Sequence, residues 1–206
     1  MSKEKIREMT RYALFIAIIF LLGLTPLGFI MLPFAAITTV HIPVIAGGYS
    51  FGVKGGAILG FFFGLVSLIR CFMSPDLTAS IILGNGGGFG IYNLLMILVI
   101  LFLPRILTGV FSALTYRALD KAGVDFKLSM GLGAAVGSLT NSVFYLGGLI
   151  LMAYHQVAAA YALAEYTPWT LIGVVAAAVV VNVVCEAVAA VLICVPVGRA
   201  LQKIKK

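Results

Sequence analysis

Val181-Asn182-Val183-Val184-Cys185-Glu186-Ala187-Val188-Ala189 stands in the middle of the last long apolar run, Leu171 to Gly198, in which Asn182 and Glu186 are the strongly polar residues among Val, Ala, Leu and Ile. A run of that length is what a membrane-spanning helix requires. Helical spacing places Asn182 and Glu186 on one face. A charge at mid-span costs roughly 2.5 kcal/mol or more unless it meets a partner or a water-filled cavity, so Glu186 is a functional-site candidate on its position alone.

The rest of the chain has the same character. Its 206 residues are 62% hydrophobic and 10% charged, with a mean hydropathy of +1.15, whereas charged residues make up about a quarter of a soluble chain. This composition defines an all-α integral membrane protein. At about 20 apolar residues per span, residues 1–206 have room for six helices in a single membrane domain and none for a soluble module. There is no Gly-x4-Gly-Lys-Ser/Thr run, so energy for work against a gradient must come from elsewhere. The basic residues behind the net charge of +7 flank apolar spans and report topology, not nucleic acid. Cys71, Cys185 and Cys194 lack metal-ligand spacing and read as small core residues. Neither a metal nor a cofactor is expected, and no catalytic residues. The amino-terminal run continues to Leu24 with no small-x-small cleavage site close behind it, and reads as a retained first helix.

In order, the expected helices are 5–24, 36–49, 55–69, 91–119, 128–154 and 169–202. Thr25-Pro26-Leu27-Gly28 ends the first, because Pro removes a donor and restricts the residue before it. Within it Ala13 and Ala17 form a small-xxx-small face for a neighbouring helix or another subunit. Residues 29–39, with Pro33, are expected to be a re-entrant or extended loop. A turn at Gly52 and Lys54 separates helices two and three, and Gly56, Gly60 and Gly64 mark a seam where another backbone comes close. Residues 70–90, with Ser74-Pro75-Asp76 and Gly84-Asn85-Gly86-Gly87-Gly88, read as a long flexible lid. Helix four should break or kink at Pro104, and a loop from His155 to Thr167, with Glu165, precedes helix six. One side of the membrane receives twelve Lys and Arg residues and the other only Arg70 and Arg105, which places both termini in the cytoplasm. Tyr166 and Trp169 fall at the outer aromatic belt.

Depth along each helix, at about 1.5 Å per residue, groups the awkward side chains. His41 lies 11 residues from Gly52, Arg105 12 from Arg117, Asn141 14 from Lys127 and Glu186 13 from Arg199. All four lie near the bilayer midplane, with Asn182 one turn further out. As a binding site, Arg105 offers a fork of donors for a carboxylate or phosphate, while Asn141, Asn182 and Glu186 suit hydroxyls and amides. The bland alternative is a self-satisfied polar knot, with Arg105 paired to Glu186 and His41 donating to a carbonyl left over by Pro43.

Read in order, Leu24-Thr25-Pro26-Leu27-Gly28-Phe29-Ile30, His41-Ile42-Pro43-Val44-Ile45, Gly55 to Leu65, Pro104-Arg105-Ile106-Leu107-Thr108-Gly109, Gly137-Ser138-Leu139-Thr140-Asn141 and Asn182 to Ala187 resemble the substrate-binding S component of energy-coupling factor (ECF) vitamin transporters. The likeness is closest to the pantothenate-type branch. The resemblance implies a six-helix, multi-pass protein of the prokaryotic plasma membrane that captures a vitamin from outside. It also implies partners: a transmembrane coupling subunit, met by the Ala13 and Ala17 face, and two cytoplasmic ATPases. His41, Arg105, Asn141, Asn182 and Glu186 are then the candidate substrate contacts. A stand-alone proton-coupled carrier titrating Glu186 is the alternative, against which stands the absence of an internal repeat. An intramembrane serine enzyme is discarded, since Ser138 and His155 are 17 residues apart along one helix, about 25 Å.

Overall fold

The computed structural model describes residues 3–32, 35–73, 77–83, 90–160 and 167–205. Helix α1 (Lys3–Leu24) is followed by a 3-10 turn (Pro26–Gly28) and an antiparallel hairpin, β1 (Phe29–Leu32) and β2 (Ala35–Thr38). Then come α2 (His41–Met73), α3 (Leu77–Leu83), α4 (Ile91–Met96), a π-helical stretch (Ile97–Phe102), α5 (Leu103–Lys121), α6 (Phe126–Met152), α7 (Tyr154–Ala160) and α8 (Pro168–Lys205). Four helical segments among the described residues are long and apolar enough to cross a membrane: α2, the continuous run Ile91–Lys121, α6 and α8. In α1 the charges through Arg11 leave only residues 12–24 apolar.

The hairpin corrects the expected start of helix two. Residues 35–38 are a strand paired with 29–32, and the helix begins only at His41. The expected separation of helices two and three is reduced to a single residue, Gly52, at φ 79° and ψ −166°. Only glycine adopts that conformation without strain, and a side chain there would also strike the Arg117 guanidinium. The kink lets both halves of α2 close on α5. Gly48 and Gly56 both approach the Gly109 carbonyl, Gly60 lies against the Arg105 and Ile106 backbone, and Gly64 lies against Phe102. The glycine seam is therefore the contact between α2 and α5, and a Cβ at Gly56 or Gly109 would meet the other's backbone.

The lid expected over residues 70–90 contains an ordered helix. Ala79, Ile81 and Ile82 of α3 are buried, and Asn93 Nδ2 donates to the Ile82 carbonyl at 2.9 Å. The apolar run Ala79-Ser80-Ile81-Ile82-Leu83 is better suited to a core than to a mobile loop. Ser74-Pro75-Asp76, Gly84 to Gly88, Pro33, Glu165 and Tyr166 lie outside the described residues. The loop expected from His155 is helical as far as Ala160, and the Tyr92 hydroxyl bonds the Met152 carbonyl at the junction before it.

Two dry clusters bracket the middle of the bundle. One joins Ile100, Leu101, Leu149, Leu171 and Val175 with α3 and α7. The other joins Ile42, Ile45, Met130, Ala134, Ala190 and Cys194. Along α6 the section between them is Ser138 to Tyr145, and along α8 it is Asn182 to Glu186. Helix α8 shows why: Val181, Val184, Val188 and Leu192 are exposed toward lipid, while Glu186, Ala190 and Cys194 recur every four residues on the buried face.

Candidate functional site

Glu186 Oε1 accepts the backbone N–H of Thr38 at 2.8 Å, a contact across 148 residues. Thr38 ends β2, and its N–H would otherwise be an unpaired donor at a sheet edge. The Thr38 and Ser142 side chains lie beside this carboxylate, and the Ser142 hydroxyl donates to the Ser138 carbonyl at 3.3 Å. Glu186 thus joins the hairpin to α6 and α8 while only 8% exposed.

Arg105 is 9% exposed. Its Nη1 donates to the Ile100 carbonyl at 2.8 Å. The guanidinium carbon stands 4.6 Å from the Tyr145 ring centroid and 5.4 Å from that of Phe63, both within cation–π range. Arg105 and Glu186 feel one another's charge, but among the described residues Arg105 forms no ion pair with it. The pairing that a polar knot would need is not made.

Several buried polar atoms lack a protein partner among the described residues: Arg105 Nε, Asn141 Oδ1, Ser138 Oγ, and both ring nitrogens of His41. The use expected for His41 in a knot is also missing, because the Thr39 carbonyl that Pro43 cannot reach is taken by Ile42 N–H at 3.0 Å. Buried polar groups in folded proteins are overwhelmingly satisfied. Within hydrocarbon the pressure is greater, because water does not supply the missing bond. Buried donors and acceptors left without protein partners are what a polar ligand site requires.

Comparison with known proteins identifies the family. Residues 7–198 match the family model described as ECF transporter, substrate-specific component. The chain belongs to that family. A curated relative, the pantothenic acid transporter PanT of Lactococcus lactis subsp. cremoris, is 28% identical over 98% of this chain and 97% of its own length. Family and relative are transporters, not enzymes.

In this S component the five polar residues singled out from sequence are placed unequally. Arg105 approaches α6 at Tyr145 and Glu186 approaches it at Ser142, and Asn141 is buried on the same helix. His41 is fully buried at the start of α2, one turn from Ile45, which touches Gly137, itself one turn from Asn141. Asn182 is half-buried one turn beyond Glu186 and makes no hydrogen bond among the described residues. Ala13 and Ala17 are exposed on α1, opposite the buried Phe15 and Ile19.

Thr38, Phe63 and Tyr145 escaped the sequence reading. Tyr145 had a signal: Ser138, Asn141, Ser142 and Tyr145 follow the spacing of one helical face. Thr38 acts through its backbone and had none.

Proposed function

We propose that this S component captures a small water-soluble vitamin or precursor from outside the cell, with pantothenate as its substrate. It would deliver that ligand inward with a transmembrane coupling subunit and two cytoplasmic ATPases. The architecture in this reading is one six-helix domain of the prokaryotic plasma membrane with both termini cytoplasmic, supported by the twelve-to-two distribution of Lys and Arg. The exposed Ala13 and Ala17 offer the close-packing face for the coupling subunit.

The observation that carries the reading is the group of unpartnered buried atoms, Arg105 Nε, Asn141 Oδ1 and Ser138 Oγ. Pantothenate carries a carboxylate, an amide and two hydroxyls. Arg105 would take the carboxylate, and Asn141 with Ser138 the amide and hydroxyls. His41 falls at the same level by residue count, with Asn182 one turn further out. Glu186, already engaged with Thr38, would hold the hairpin over the ligand instead of contacting it first. The relative named for pantothenic acid supports the choice of vitamin.

Native mass spectrometry of the detergent-purified protein, with thermal shift against a panel of water-soluble vitamins, tests this. Retention of pantothenate and a rise in melting temperature with it are expected. An empty protein that no vitamin stabilises would refute the reading, and a different retained vitamin would overturn the substrate.

A further inference from the structure

We infer that Tyr145 is a positioning residue for Arg105: its ring holds the guanidinium by the face and leaves the donor edge open for a substrate carboxylate. The inference rests on the reading that Arg105 receives that carboxylate. A buried arginine has two ordinary ways to be held. It can pair with a carboxylate, which occupies its in-plane N–H donors, or it can lie against an aromatic ring, which engages the face of the cation and occupies none of them. The first is not made with Glu186 among the described residues. The second is: the guanidinium carbon lies over the Tyr145 ring at 4.6 Å from its centroid, and at 5.4 Å from that of Phe63.

The Nη1 bond to the Ile100 carbonyl at 2.8 Å ties one corner of the guanidinium to its own helix. A single bond leaves the plane free to turn about it, and a ring against the face removes that freedom. Phe63 is 3% exposed and committed to the dry cluster of α1 and α2. Tyr145 is the nearer ring, half-buried on α6. What stays open in the plane is the edge made by Nε and Nη2. Nε is buried without a protein partner among the described residues, and two parallel donors on one edge match the two oxygens of a carboxylate. Tyr145 follows Asn141 by four residues, so the helix that carries the unpartnered Asn141 Oδ1 also orients the arginine.

The test compares pantothenate with pantothenol, in which a primary alcohol replaces the carboxylate, by calorimetry on the full chain in nanodiscs. The parent protein is measured first. If it binds the two equally, the carboxylate reading of Arg105 fails and the inference falls with it. If it prefers pantothenate, that reading stands and Tyr145→Leu decides the inference, because leucine keeps apolar bulk and removes the ring. Pantothenate affinity should fall roughly 5- to 30-fold, the population that a buried cation–π contact holds in one orientation, with pantothenol affinity within about twofold of the parent. In an Arg105→Ala background the same substitution should change neither by more than about twofold. An unchanged preference, an equal loss for both ligands, or the same loss without Arg105 would each overturn the role. Should the leucine variant fail to fold, the ring is graded instead. Tyr145→Phe gives the reference, and fluorines added to that phenylalanine one at a time withdraw electron density from the ring face at nearly constant shape. The preference for pantothenate should fall with each fluorine, about fivefold or more across the series. A preference that stays level refutes the cation–π positioning.

Discussion

Removing the Glu186 carboxylate should release the hairpin before it does anything else. The Thr38 N–H to Oε1 bond is 2.8 Å long and lies in a setting where Glu186 is 8% exposed. A bond to a charged acceptor contributes about 1.5–3 kcal/mol, which is roughly 10- to 150-fold in the equilibrium between held and released hairpin. Glu186→Ala leaves the Thr38 N–H without its acceptor. Glu186→Gln keeps an acceptor oxygen at the same reach, so it should retain a neutral bond of about 0.5–1.5 kcal/mol and fall between parent and alanine. The assay is hydrogen exchange of the amides in residues 35–39, followed by mass spectrometry in nanodiscs without ligand. Ligand dissociation is measured in parallel. Alanine should speed exchange about tenfold or more and raise the dissociation rate more than it changes association. Hairpin exchange identical to the parent, together with a fall in affinity, would mean that Glu186 meets the ligand and does not hold β2. That result would refute the reasoning.

Further expectations follow from the same contacts. Arg105→Ala should weaken pantothenate binding roughly 10- to 150-fold by calorimetry while the protein still folds; parental affinity with a lowered melting temperature would assign Arg105 to packing. Ala13→Trp adds bulk to an exposed face of α1, so it should abolish uptake in cells carrying the energising module while equilibrium binding to the purified protein is unchanged. Gly56→Leu drives a side chain into the Gly109 backbone, and should destabilise the α2 and α5 contact by about 1–3 kcal/mol or more, read as a fall in melting temperature in detergent.

How far the sequence carried the fold depended on whether a residue's neighbours were near in sequence or brought by folding. The glycine stripe at 56, 60 and 64 was legible as a seam because small residues at helical spacing have one cheap use in a membrane. The partner, the α5 backbone at Arg105 and Gly109, was not. The kink at Gly52 was legible as a turn, but a single positive-φ residue achieves it where a longer break was expected. Residues 35–38 misled for a physical reason: Ala35 and Ala36 favour helix by local propensity, and the pairing with 29–32 that makes them a strand is a tertiary gain. Depth counting, which put His41, Arg105, Asn141 and Glu186 at one level, used nothing but the regular rise of a helix. It had no access to rotation about the helix axis or to what each side chain chose as partner. Arg105 and Glu186 were expected to find one another if the polar residues formed a knot. Instead Arg105 takes the Ile100 carbonyl, and Glu186 takes the last amide of the hairpin. Each bond satisfies a backbone group inside the bundle, where water does not supply a partner. Arg105 Nε, Asn141 Oδ1 and Ser138 Oγ remain as buried atoms without protein partners among the described residues, and these are the atoms a polar ligand would have to satisfy.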